Sequence, residues 1–148
     1  MRIVVLDDYQ QVAADFADWD GLGAEVESVP RPIRDDDDLV AVLTGAEVVV
    51  AMAGNHTIWS FRPQDGTIRL LSGTMNEGLT DGDGESAWYA QSSGLDLAPD
   101  GRVLVADSET SAIRRLDPAT GEVATLVGVG LFDFGFRDGP ADQARLQH

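Results

Sequence analysis

The sequence predicts an α+β hybrid: a partial βαβαβ unit that runs directly into about two antiparallel, four-stranded β-blades. Three observations lead there. The first third of the chain alternates short β-branched runs with helical apolar spacing, the pattern of parallel strands joined by crossover helices. The remainder repeats itself at a nearly fixed offset, with strand-length apolar runs separated by Pro/Asp/Gly turns. The two patterns meet at Val48-Val49-Val50-Ala51-Met52-Ala53-Gly54, a stretch that suits either one.

Ile3-Val4-Val5-Leu6 is a continuous β-branched run suited to a strand buried on both faces, and Asp7-Asp8 end it. Val12, Ala13, Phe16 and Trp19 follow at helical spacing. Gly21-Leu22-Gly23 breaks that helix, and Ala24 to Val29 alternates as a second strand closed by Pro30 and Pro32. Asp35 to Asp38 then precede Leu39-Val40-Ala41-Val42-Leu43. Acids at this position cap free N–H groups and complement the helix dipole, so the run marks a helix start. Four adjacent aspartates also suggest a metal, but neighbouring side chains point in different directions, and the helix reading is preferred. Thr44-Gly45 ends the helix, and Val48-Val49-Val50 is the third strand.

The motifs MRIVVLDDYQ at residues 1–10, LVAVL behind its acidic run, and AEVVVAM give this segment a specific resemblance. It resembles the amino terminus of the D-2-hydroxyacid dehydrogenases, where such a sequence begins a flavodoxin-like substrate-binding domain. The resemblance implies an NAD-binding Rossmann domain and a catalytic Arg, Glu and His further along. None of that chemistry carries over. No G-x-G-x-x-G follows a strand, and Ala53-Gly54-Asn55-His56 stand in place of the family's substrate loop.

From the seam onward the repeat takes over. Val48-Val49-Val50-Ala51 matches Val103-Leu104-Val105-Ala106, an offset of 55 residues. Ile58 and Ile113, Pro63 and Pro118, Gly66 and Gly121, Leu71 and Leu126, and Gly73 and Gly128 keep that offset. After a two-residue insertion Asp81-Gly82 matches Asp138-Gly139 and Ala87 matches Ala144, now at 57. A period of this size with several short strands points to a propeller. Within one unit, Gly94 to Leu97, Arg102 to Ala106, Ala112 to Leu116 and Glu122 to Val127 read as four strands of one blade. The Gly-rich stretch from Gly128 to Ala144 would lead to the next blade, and the first blade lacks its own inner strand.

SSGLDLAPDGRVLVADSETSAIRRLDPATGEV, at residues 92–123, resembles NHL-repeat propellers, most like the group that joins a thioredoxin-like domain to a propeller. The chain departs from that group in having no CxxC and only about two blades, and its end falls where another blade would begin. It reads as truncated.

Composition narrows the function classes. The chain has 148 residues and a formal net charge of -16, from 26 acids against 10 bases. Such a surface repels phosphate backbones and anionic lipid, so nucleic acid and membranes are poor partners. Cysteine is absent, which removes disulfides, thiolate nucleophiles and Cys-ligated zinc. The amino-terminal apolar run is too short for a signal peptide, and the expected compartment is the cytoplasm.

Few residues offer chemistry. Asp81, Asp83 and Glu85 place oxygens at alternate positions as calcium loops do, but they lack the downstream bidentate Glu and sit in an inter-blade connection. Asp107 and Glu109, just after a strand, would lie in a loop on one propeller rim. His56 and His148 have no metal spacing; His56 reads as a loop cap. No serine sits in a nucleophile elbow. Trp59, Phe61, Trp88 and Tyr89 read as inter-blade packing. These five acids are weak binding candidates; no catalytic residue, metal site or cofactor is expected.

The expected organisation is a hydroxyacid dehydrogenase-like segment at residues 1–52 and a partial NHL-repeat propeller at residues 53–148. The expected function is a non-catalytic binding module that takes a protein or small ligand on a propeller rim and self-associates through open strand edges. The alternatives are an inactive dehydrogenase fragment, or a gene fusion without selected function.

Overall fold

The computed structural model describes residues 2–5, 11 and 25–147. Strands β1 (Arg2–Val5) and β2 (Glu25–Ser28) precede helix α1 (Asp36–Leu43) and strand β3 (Val48–Met52). After a 3-10 turn at Ala53–Asn55 come β4 (Thr57–Arg62), β5 (Thr67–Ser72), β6 (Ser92–Leu97), β7 (Val103–Asp107), β8 (Ala112–Leu116) and β9 (Val123–Val127). They form three sheets, ordered β1–β2, β3–β4–β5 and β6–β7–β8–β9. The described chain divides into two compact units. One runs to Val48 and includes Phe61–Ile68; the other comprises Val49–Ser60 and Arg69 onward.

In the first unit β1 and β2 pair in parallel, from Arg2 opposite Glu25 to Val5 opposite Ser28. The acidic run starts α1, as expected. Asp35 is the N-cap, its carboxylate accepting from the Asp38 N–H at 2.8 Å. Asp38 in turn accepts from both terminal nitrogens of Arg31, at 2.6 and 2.9 Å, and from the Arg34 side chain and backbone, each at 3.0 Å. The hydrogen bonds from Arg31, then those from Arg34, hold the Asp38 carboxyl far below the usual carboxylate range. The expected helix through Val12, Ala13, Phe16 and Trp19, and the Gly21–Gly23 break, lie outside the described residues.

One expectation is corrected. A flavodoxin-like βαβαβ sheet is not shown: β3, expected as its third strand, neighbours β4, and β1 and β2 stand as a separate two-stranded sheet. Chain connectivity supplies the reason. Turns of four residues join β3 to β4 and β4 to β5, so these three strands assemble at little closure entropy and take β3 into the later sheet.

The second unit repeats itself in backbone as well as sequence. β3 and β4 start at Val48 and Thr57, and β7 and β8 start 55 residues later, at Val103 and Ala112. His56 and Ser111, at equivalent positions, are both left-handed, with φ of 56° and 49°. Gly73 and Gly128 share φ of 109°. A Cβ at Gly73 would lie 2.5 Å from the His56 carbonyl oxygen, and one at Gly128 would lie 2.6 Å from the Ala112 Cβ. Both sites therefore require glycine for conformation and for space. The stretch that would match β6 in the first copy is taken up by α1, so that copy has three strands against four.

The four-stranded blade is antiparallel throughout, with Leu95 opposite Val105 and Val105 opposite Arg114. β9 follows on β8, with Leu116 opposite Val123. The Pro99-Asp100-Gly101 turn is closed by the Gly101 N–H donating to the Ala98 carbonyl at 2.9 Å. Ile58, Leu71, Ala87, Tyr89, Val103, Val105, Leu116 and Val123 form one buried cluster, with Val49, Ala51, Leu95 and Leu97 packed on it. No helix among the described residues is long and apolar enough to cross a membrane.

Candidate functional site

Strand β8 places Ala112, Arg114 and Leu116 on its buried face, with Arg115 exposed between them. A guanidinium therefore enters the interior at a position where period-2 alternation calls for an apolar side chain. Burying that charge is costly unless every donor finds an acceptor. Arg114 is fully buried, and four acceptors surround it. It donates to the Trp88 carbonyl and the Thr80 carbonyl at 2.9 Å each, to Asp81 Oδ1 at 2.9 Å and to Asp107 Oδ2 at 3.2 Å. The Tyr89 ring lies below it, 4.9 Å from Cζ to centroid, a cation–π distance. Its Nε is buried without a partner among the described residues.

Asp107, at the end of β7, is the paired anion and is also fully buried. Its carboxylate accepts from the Ala90 N–H, Ser92 Oγ and Thr110 Oγ1 at 2.9 Å each, besides Arg114. One aspartate thus ties the start of β6, the loop after β7 and the third strand to each other. Asp81 completes the clasp from the connection between β5 and β6. It accepts from Arg114 and from the Thr125 N–H and hydroxyl at 2.9 and 2.7 Å. Burial raises the Asp81 pKa, but the Thr125 donors and Arg114 outweigh it, and the carboxyl sits below its usual value. Tyr89 is pushed up to about 12: burial dominates, with the Ser72 hydrogen bond and the Arg114 charge opposing it.

The other acids serve turns or face solvent. Asp83 accepts from the Glu85 N–H and Ser86 Oγ at 3.2 and 2.7 Å, closing an exposed loop. Glu85 is exposed. Glu109 accepts from Gln91 Nε2 at 2.7 Å, and the Gln91 N–H donates to His56 Nδ1 at 3.3 Å. His56 itself occupies the left-handed position that ends the 3-10 turn. The structure therefore brings Asp81 and Asp107 together on one guanidinium and leaves Asp83, Glu85 and Glu109 outside that cluster. Among the described residues no group of three His, Cys, Asp or Glu side chains could hold a metal. Of the expected packing aromatics, Tyr89 is buried in the core while Trp88 remains 39% exposed.

Arg114, Thr110 and Thr125 were not singled out by the sequence, and Ser92 was weighed only as a nucleophile. The signal was nonetheless present: an arginine two residues from Ala112 and from Leu116 shares their inward register.

No family model matches the chain. Protein Suppressor of Quenching 1, chloroplastic, of Arabidopsis thaliana is 40% identical over 110 residues, covering 69% of this chain and 10% of that protein. NHL repeat-containing protein 2 of Bos taurus is 36% identical over 144 residues, and its Homo sapiens counterpart 35%, each covering 80% of this chain and 20% of theirs. The NHL-like part of the chain is homologous to NHL repeat-containing protein 2. That coverage exceeds the stretch from Val48 to the carboxyl end, so the aligned region begins upstream of β3. No relative supports a dehydrogenase segment or a chimera. The chain spans a tenth to a fifth of the length of these curated relatives. Among solved structures, a protein of unknown function from Bacteroides thetaiotaomicron aligns with a TM-score of 0.62 at 23% identity, over 70% of this chain and 26% of that one. An auxiliary nutrient binding protein from Bacteroides ovatus aligns at 0.54 and 18%, over 66% and 27%. Both likenesses concern the fold.

Proposed function

We propose that this chain is part of an NHL-type β-propeller that acts as a binding module and carries out no chemistry of its own. The observation that carries this reading is the repetition of β3 and β4 as β7 and β8, with the same left-handed residue before the second strand and the same obligatory glycine after the hairpin. Repeats of this kind present their loops along a common edge, and ligands are met there. The loop acids Asp83 and Glu85 are exposed and Glu109 is half-buried, and the chain carries -16 overall. A partner with a basic or neutral contact surface fits them better than an anionic one. The buried Asp107 and the half-exposed Asp81 are both engaged by Arg114, which supports a scaffolding role for them over a catalytic one.

The test is a titration of the ¹⁵N-labelled chain with a short oligolysine peptide, read by amide chemical shifts. Shifts confined to the loops around residues 83–85 and 108–111 support the reading. Shifts spread evenly over the surface, or none, count against a rim site. Saturable quenching or enhancement of NADH fluorescence at micromolar concentration would overturn the non-catalytic reading.

A further inference from the structure

The connection that follows β5 is seated on the blade β6–β9 through Arg114. A second copy of that connection follows β9, and nothing among the described residues sits on it. The two copies share their backbone frame. The Gly78 N–H donates to the Tyr89 carbonyl at 3.1 Å, and the equivalent Gly135 N–H to the Leu146 carbonyl at 2.9 Å. Thr80 and Trp88 exchange hydrogen bonds at 3.5 and 3.1 Å; Arg137 and Arg145 exchange them at 3.2 and 2.9 Å. The Ala87 N–H reaches the Asp83 carbonyl at 3.0 Å, and the Ala144 N–H reaches the Pro140 carbonyl at 2.8 Å. Gly82 and Gly139 both have strongly positive φ, 145° and 151°.

What differs is the cover. In the first copy Ala87 and Tyr89 are fully buried, whereas Ala144 and Leu146 are only half-buried. The second copy lines an open cavity of about 530 Å³ that includes Arg137, Asp138, Gly139, Arg145 and Leu146. Position for position, the Arg137 and Arg145 carbonyls correspond to the Thr80 and Trp88 carbonyls that receive Arg114. Asp138 corresponds to Asp81, and Leu146 to the Tyr89 ring. The Asp138 carboxylate is exposed and has no partner among the described residues, where that of Asp81 holds a guanidinium and a threonine. Gly82 exchanges two backbone hydrogen bonds with Val123 of β9, at 3.2 and 2.8 Å; Gly139 has no such strand. Phe136, which lines the cavity, is 100% exposed.

We infer that residues 135–147 form a preformed seat for a further antiparallel blade, one that brings an arginine on its third strand and a free edge on its fourth. The inference rests on the propeller reading for the existence of such blades and goes beyond it in naming the group the seat recognises. The chemistry is that of the first copy: two carbonyls and a carboxylate accept one guanidinium, and an apolar side chain lies beneath its face. A second copy of this chain is a poor occupant. Its Arg114 is already engaged, and its other sheet carries Trp59 at the position equivalent to Arg114.

The test keeps the full chain and extends it with a duplicate of residues 91–128 after His148, read by hydrogen exchange. Amides of residues 135–147 should exchange about tenfold more slowly or better than in the unextended chain. The gain should be lost when the appended copy carries Arg114→Met, and when the host carries Asp138→Ala. An appended blade that is itself protected but leaves residues 135–147 unchanged overturns the seat while sparing the propeller reading. Equal protection with the Arg114→Met blade overturns the role of arginine. An appended blade that gains no protection of its own counts against both readings. Protection that rises with concentration in the unextended chain assigns the seat to a second copy and also overturns the inference.

Discussion

Replacing Asp107 by asparagine should remove a large part of the chain's stability although the change is isosteric. The side chain is fully buried, and its two oxygens accept from four donors. Asparagine keeps one acceptor oxygen, enough for the Ala90 N–H and Ser92 Oγ. It then turns an amide NH₂ toward Thr110 and Arg114, both of which donate there now. Arg114 is left as a buried cation whose only remaining carboxylate is Asp81, which is half exposed. Breaking a buried ion pair from one side costs about 3–5 kcal/mol. Domains of ordinary size have about 5–15 kcal/mol in total, so the loss would be a third or more of the margin. Urea unfolding followed by tryptophan fluorescence reads it directly, since the Trp88 carbonyl is one of the Arg114 acceptors. The double variant Asp107→Asn with Arg114→Met should lose less than the sum of the two single changes, because it removes the stranded charge. A loss below about 1 kcal/mol for Asp107→Asn, or strict additivity, would refute the idea that this pair holds the blade together.

Three further outcomes follow from the same geometry. Gly128→Ala should destabilise by more than about 1 kcal/mol, because alanine at φ of 109° is strained and its Cβ would meet Ala112; thermal melting checks it. Asp81 has its carboxyl held low, so its stabilising contribution is present above the unfolded carboxylate value, about 3.9, and is lost as pH falls through the folded one. The acid limb of a Tm–pH curve should therefore flatten in Asp81→Asn. Tyr89, pushed up to about 12, keeps its proton when folded but loses it near 10 when unfolded. Stability should therefore fall by about 2–3 kcal/mol between pH 10 and 12, and Tyr89→Phe should remove that component of the alkaline loss.

Much of the four-stranded sheet was legible because its strands are short, β7 and β8 alternate in burial, and Pro/Asp/Gly turns separate them. Val103-Leu104-Val105 and Ala112 to Leu116 give their own register, and Gly73 and Gly128 mark equivalent sharp positions in two copies. The amino-terminal segment was read less well. Val48-Val49-Val50 is equally good as a buried parallel strand and as a blade strand, so periodicity alone cannot choose its neighbour. The choice falls to chain connectivity, which favours β4. At the site, Asp107 and Asp81 were legible as unusual acids but not as partners, because Asp81 and Arg114 meet only after a connection and two strands intervene. An arginine in an alternating strand is by default assigned to solvent, and only its inward register distinguishes Arg114 from Arg115.

The Arg114 clasp also bears on how such a chain grows. Arg114 reaches back 26 to 34 residues to the connection made just before its blade, and the Asp81–Thr125 bonds that complete the clasp span 44. The repeat that carries Arg114 therefore closes onto the connection just before it, and no contact of the clasp waits for a distant terminus. Folding of this unit can proceed in the order of synthesis, at low contact order for an all-β arrangement.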